Sequence, residues 1–214
     1  MHDTLTRVDC DNSGIPVVAF VADNHYALPL AAAISSVIVN LDKEQKLRIF
    51  IIDVGISLAN KSRIGRLVNQ EKVNIRWIKP SKQHKRVVRS LPPGYVGRNS
   101  YYKMFVHELL GSEYSRIILL DCDVIVEADV TELWGVDIGD NYVLAAQDLL
   151  NPLISSPFGL NNWQELGRQA DDKLFNSGVM VLNAAKWHEG NVSQRLVQIS
   201  GTTSDMCDFV TRMP

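Results

Sequence analysis

Two aspartates, Asp121 and Asp123, close an apolar run, Ile117-Ile118-Leu119-Leu120, and Val124-Ile125-Val126 follows at once. A strand sends alternate side chains to opposite faces, so this spacing predicts both carboxylates on one face and Cys122 on the other. Two carboxylates on one face repel each other and lose hydration unless a cation lies beside them. Their oxygens suit Mn²⁺ or Mg²⁺, which would also neutralise a diphosphate. A pair of solvated carboxylates at a strand exit is the plainer alternative. The flanking hydrophobic half-strands favour the cation site.

The elements that must position this pair alternate along the chain. Val17 to Ala22 is an apolar strand, and Ala27 to Leu41 is a helix rich in Ala and Leu. Leu47 to Ile52 is a second strand. Ser57 has the character of an N-cap for a helix through Arg63, Ile64, Leu67 and Val68. Val73 to Ile78 alternates apolar and polar residues, as a strand with one buried face does. Tyr101 to Leu110 is predicted to form a helix leading into the strand that ends at Asp121. Strands alternating with helices imply an α/β/α sandwich around a mostly parallel sheet. Such sheets bind ligands beyond the carboxyl ends of their strands, where Asp23, Asp53, Asp121 and Asp148 all fall.

Composition narrows the function classes. The 214 residues are 46% hydrophobic and 21% charged, as expected of a soluble globular domain with a sizeable core. A net charge of −2 gives no reason to expect nucleic-acid binding. The chain has three cysteines. Cys10, Cys122 and Cys207 are far apart and match no metal or redox pattern, which fits a reducing compartment. The leader, residues 1–14, is polar and lacks the apolar core of a signal peptide. No apolar stretch approaches the ~20 residues of a membrane span. The expected location is cytoplasmic, with contact limited to the membrane periphery.

Between Lys79 and Arg98 lie six basic residues and no acid, so removing these six cations from a net −2 leaves −8 on the rest of the chain. Pro80, Pro92, Pro93, Gly94 and Gly97 predict mostly loop there. Such a loop is either simply solvated or a flap facing a phosphate-bearing ligand. No G-x-G-x-x-G, no P-loop and no G-x-S-x-G elbow occurs, which disfavours dinucleotide-binding, NTPase and α/β-hydrolase readings. His25, His84, His107 and His188 lack a partner at metal-ligand spacing.

Taken together, several ordered motifs resemble glycosyltransferase family 8, the retaining GT-A-type transferases. They are Phe20-Val21-Ala22-Asp23-Asn24-His25-Tyr26, Ile52-Asp53-Val54-Gly55-Ile56-Ser57, Leu119-Leu120-Asp121-Cys122-Asp123-Val124-Ile125-Val126 and Phe175-Asn176-Ser177-Gly178-Val179-Met180-Val181-Leu182-Asn183, followed by Lys186-Trp187. The resemblance spans about Val17 to Leu196. It implies transfer of a hexosyl group from UDP-glucose or UDP-galactose to a glycan or lipid-linked, lipopolysaccharide-type acceptor, with Mn²⁺ or Mg²⁺. Ala22, Asp23 and Tyr26 would line the uridine pocket. Asp121 and Asp123 would hold the metal, with Cys122 between them in the cofactor-binding segment. Asp148 would meet donor-sugar hydroxyls, and Asn176 would lie beside the sugar. Lys103 stands where family members commonly carry Arg, offering a point charge in place of a bidentate fork.

Family members continue beyond Lys-Trp into an Asp-Gln-Asp segment and a region bearing a third metal ligand, a histidine, and most of the acceptor site. Here residues 200–214 are expected to form an irregular tail after a nucleotide-sugar domain of residues 15–199. The expectation is therefore a C-terminally shortened member. Two further readings stay open: a UDP-sugar-binding domain with weak or no turnover, and a metal-dependent phosphatase or nucleotidyltransferase.

Overall fold

A computed structural model describes residues 14–68, 71–92, 97–160 and 163–202. Four strands form in chain order along the first half: β1 (Val17–Ala22), β2 (Leu47–Asp53), β3 (Val73–Ile78) and β4 (Arg116–Leu120). The sheet is completed by β5 (Val143–Gln147) and β6 (Phe175–Asn183), in the order β3-β2-β1-β4-β6-β5. β1 pairs in parallel with β2 and β4, and β2 with β3, whereas β6 runs antiparallel to both β4 and β5. The sheet is therefore mostly parallel, as the alternating pattern predicts. Because β6 alone is reversed, its first residues share an edge of the sheet with the last residues of β1, β4 and β5.

Residues on alternate positions of the central strands enter two separate cores. Val17, Ala19, Phe50, Ile52, Ile117 and Leu119 pack on one face with Tyr101, Met104, Phe105 and Trp187. Val18, Phe20, Ile49, Ile51, Ile118 and Leu120 pack on the other with Leu30, Ala33, Ile34 and Val37 of α1 (Ala27–Asn40). Burial on both faces explains why these strands read as continuous apolar runs. Truncating Leu30, which is fully buried, to Ala would cost about 2–5 kcal/mol.

Four local expectations need correction. The helix behind Ser57, α2 (Leu58–Gly65), does use the Ser57 side chain as its cap, accepting from Asn60 N, but ends before Leu67 and Val68. Lys79 to Arg98 is not mostly loop: Ser81 caps a helix, α3 (Lys82–Ser90). Its Lys, Arg and Gln residues are good helix formers, and Val87 and Val88 give it an inward face. Tyr101 to Leu110 is divided between a 3-10 helix (Arg98–Phe105) and α4 (Val106–Leu110). Finally, Val124-Ile125-Val126 does not continue β4. The backbone turns at Cys122 and Asp123, and Val126 is held by Ser36 and Asn40 of α1.

After β4 come α5 (Val130–Gly135), α6 (Ala184–Glu189) and α7 (Val192–Thr202). α7 runs through position 200 to Thr202, where an irregular tail was expected. Residues 203–214, and residues 1–13 of the polar leader, lie outside the described residues.

Candidate functional site

The carboxyl ends of β1, β4 and β5 and the start of β6 surround a cleft of about 790 Å³. Ala22, Asp23, Tyr26, Lys103, Asp121, Cys122, Asp123, Asp148 and Asn176 all line it. These nine residues, which come from five separated stretches of chain, thus reach one place.

Asp121 is the last residue held on the β4–β6 ladder. Its amide donates to the Gly178 carbonyl at 2.8 Å, one step beyond the Leu120–Val179 pair. The side-chain alternation of β4 carries on: Cys122 is buried with Ile118 and Leu120, and its thiol donates to the Val21 carbonyl at 3.1 Å. Burial, then the neighbouring Asp121 and Asp123, push that thiol up to about 12, so it stays protonated. Asp123 lies past the ladder and is exposed, with no hydrogen bond or ion pair among the described residues.

Gly178 faces the Asp121 carboxylate closely. A Cβ there would stand 3.0 Å from Asp121 Oδ2 and 2.7 Å from Asn176 Oδ1. Asn176 Oδ1 accepts from the Gly178 amide at 2.7 Å, closing a tight turn that ties the Asn176 side chain to the backbone point Asp121 also pairs with. Lys103 reaches the same spot from the 3-10 helix. It is 8% exposed, with its ammonium 2.5 Å from Asp121 Oδ1 and 3.1 Å from the Ser177 carbonyl.

The other carboxylates are fixed by backbone amides. Asp23 Oδ1 accepts from His25 N and Tyr26 N, at 2.9 and 3.2 Å, and its Oδ2 accepts from Asn99 Nδ2 at 2.8 Å. Asp148 Oδ1 accepts from Leu150 N and Asn151 N, both at 2.8 Å. Tyr26 leaves a half-exposed ring at the mouth.

Asp53 does not join them. Its Oδ1 accepts from Gly55 N at 3.0 Å and Ile56 N at 2.8 Å, and its Oδ2 is paired with Lys61. Burial alone would raise its pKa, but Lys61 and the two amides together hold it below the usual carboxylate value. The strand-end position suggested a site residue; the Asp-x-Gly-Ile turn beneath it makes Asp53 a structural anchor.

Asn99, Arg98, Asn151 and Phe158 also line the cleft. Arg98 ends the basic stretch for which a flap facing a phosphate-bearing ligand is one of the two readings, whereas Asn99 next to it carries no sequence signal. Asn151 and Phe158 follow β5 in a segment without periodicity, so no pattern marked them. Among the described residues, no three His, Cys, Asp or Glu side chains cluster as metal ligands. The pair Asp121 and Asp123 nonetheless offers hard carboxylate oxygens that line the cleft, a donor set that fits a hard divalent cation such as Mn²⁺ or Mg²⁺. No helix among the described residues is long and apolar enough to cross a membrane.

A mostly parallel sheet with an acidic cleft at its strand ends defines an α/β/α fold of the GT-A type. The chain belongs to glycosyl transferase family 8, whose sequence model matches residues 17–209. It is 26% identical over 178 residues to General stress protein A of Bacillus subtilis, covering 82% of this chain and 58% of that protein. It is 24% identical over 183 residues to Lipopolysaccharide 1,2-glucosyltransferase of Escherichia coli K12, covering 85% of this chain and 52% of that one. The chain thus spans somewhat more than half the length of these relatives. The crystal structure of galactosyltransferase LgtC, in complex with donor and acceptor sugar analogues, superposes with a TM-score of 0.71. That match has 26% identity and covers 85% of this chain and 62% of LgtC.

Proposed function

We propose that this cleft binds a UDP-hexose, UDP-glucose or UDP-galactose, with Mn²⁺ or Mg²⁺ and donates the hexosyl group, with retention, to a glycan or lipid-linked saccharide. The observation that carries the reading is the convergence of Asp23, Tyr26, Lys103, Asp121, Asp123, Asp148 and Asn176 on one cleft in a family 8 chain.

Each residue has a task that its setting suits. Tyr26 offers an exposed ring for the base to stack on. Asp23 is held rigid by two backbone amides and Asn99, and its remaining lone pairs can accept the ring N–H of uracil, a donor that cytosine lacks. Asp121 and Asp123 would hold the cation, which when bound supplies Lewis-acid neutralisation of the diphosphate. Lys103 adds a preorganised positive charge beside the same carboxylate, where negative charge grows as the sugar–phosphate bond breaks. Asp148 is oriented by two amides toward donor hydroxyls, and Asn176 lies alongside. Retention is compatible with front-face attack and with a covalent glycosyl-enzyme.

Calorimetry with UDP, CDP, ADP and GDP in Mn²⁺ tests the nucleotide half, and UDP release from the two UDP-hexoses, with and without saccharide acceptors, tests the transfer half. Preferential UDP binding with acceptor-stimulated release is expected. Equal binding of all four nucleotides would overturn the uridine pocket.

A further inference from the structure

Most of the basic run lies outside the donor cleft and is organised by α3. Lys82, Lys85, Arg86 and Arg89 stand at i, i+3, i+4 and i+7 and are all exposed, so they form one stripe. Their side chains occupy about 100° of the helix circumference and ~10 Å of its length. Lys79 before the helix is exposed as well.

This arrangement works against the helix itself. Lys82–Arg86 and Lys85–Arg89 are like-charge i,i+4 pairs, and Lys82 puts a cation in the first turn, where the helix dipole is already positive. Nothing nearby offsets it: among the described residues none of the four is paired with a carboxylate. The acid that touches α3, Glu108, goes to His84 on another side, at 3.2 Å. Yet outside Lys79–Arg98 the chain carries a net −8, so acid is plentiful elsewhere.

We infer that α3 is a docking surface for an anionic lipid bilayer. An exposed cationic stripe suits a surface of anionic headgroups, each cation near it adding about 1 kcal/mol. A nucleic acid is a poorer match, because a stripe of ~10 Å spans few backbone phosphates. The rim of the cleft adds apolar side chains of interfacial character: Leu149 and Leu150, about nine-tenths exposed, and Phe158, 74% exposed. α3 packs on the 3-10 helix whose first residues, Arg98 to Ser100, line that cleft, so docking brings the cleft close to the bilayer. The bilayer contact stands by itself. Its meaning, that the acceptor saccharide is lipid-linked, rests on the transferase reading.

Sedimentation of the whole chain with phosphatidylcholine vesicles, with and without phosphatidylglycerol, tests it. Binding is expected only with the anionic lipid, and about 1 M salt should release the protein by shortening the screening length to ~3 Å. The double variant K85Q/R86Q removes two charges worth roughly fivefold each and should bind about 25-fold more weakly. A control double variant at exposed lysines elsewhere, K43Q/K46Q, should bind like the parent, and UDP affinity should be the same in all three proteins. No binding to anionic vesicles, equal binding to neutral ones, equal loss in both variants, or stronger capture by a duplex oligonucleotide than by vesicles would each overturn the inference. Unchanged UDP affinity with lost vesicle binding separates this surface from the donor site.

Discussion

Asp53 and Asp121 occupy matching places and do different things. Each ends a buried strand of the same sheet, and each meets a lysine. Asp53 takes its lysine from the helix that follows it and two amides from its own turn, so its oxygens are saturated and its side chain is 2% exposed. Asp121 takes Lys103 from a separate element, presses on Gly178 and keeps its side chain 35% exposed to the cleft. A carboxylate at a strand end is therefore a site residue when its partners come from elsewhere and leave an oxygen free. Partners drawn from its own turn make it a brace.

Replacing the two lysines separates these roles most widely. Lys103→Met should lower hexosyl transfer by about 10²–10³-fold, as loss of one preorganised electrostatic group does, with the fold kept. Lys61→Met should leave transfer unchanged but destabilise by ~3 kcal/mol, because it strands a buried carboxylate. Initial rates and urea denaturation distinguish the two. Equal loss of activity in both would erase the distinction.

Acidity sharpens the comparison from the structural side. Asp53 is held below its unfolded pKa, so its stabilisation is present above about pH 4 and is lost as the pH falls through the lower folded value. Asp53→Asn should flatten that acid limb. A separate slope lies at higher pH. His107 is brought down to about 4 by burial, packed beside His188 and Ser193, with Glu108 opposing the shift. The folded state thus prefers its neutral form, and stability on the order of 3 kcal/mol is lost between pH 6.5 and 4 as the unfolded chain takes up the proton. His107→Gln should abolish that slope and leave the Asp53 limb in place. Denaturation midpoints across pH 3–7 measure both (~4 units of pH, enough to separate the two limbs).

Two glycines give the smallest contrast. At Gly178 a methyl would push Asn176 and Asp121 aside, so Gly178→Ala should weaken Mn²⁺-dependent UDP binding by roughly tenfold at little cost in stability. Gly55, in the turn under Asp53, has φ of +125° with open space around it. Gly55→Ala should cost about 1 kcal/mol of stability and no affinity. Thermal melts and UDP titrations on the two variants check this.

The sequence discloses the regular parts for a physical reason. β1, β2 and β4 are buried on both faces, and burial writes continuous apolar runs into them. Asp121 and Asp123 were legible because an abrupt change from Leu120 to carboxylate has few other uses. The contacts between residues were not: the resemblance points to Lys103, but its pairing with Asp121 depends on a 3-10 turn without helical periodicity, and Asn99 reaches Asp23 across 76 positions. α3 was read as loop because prolines, glycines and charge stood out over the propensity of its residues. Asp53 shares the strand-end position of the site carboxylates, and only the turn beneath it sets it apart.

The most direct measurement is Mn²⁺-dependent UDP affinity by calorimetry in the parent, Asp121→Asn, Asp123→Asn and Asp53→Asn, with folding of each verified by its melt. Loss of about 100-fold or more in the first two variants, and parent-like affinity in the third, is the expected result. Parent-like affinity in Asp121→Asn and Asp123→Asn, or an equal loss in Asp53→Asn, would contradict the assignment of this cleft as the nucleotide-sugar site.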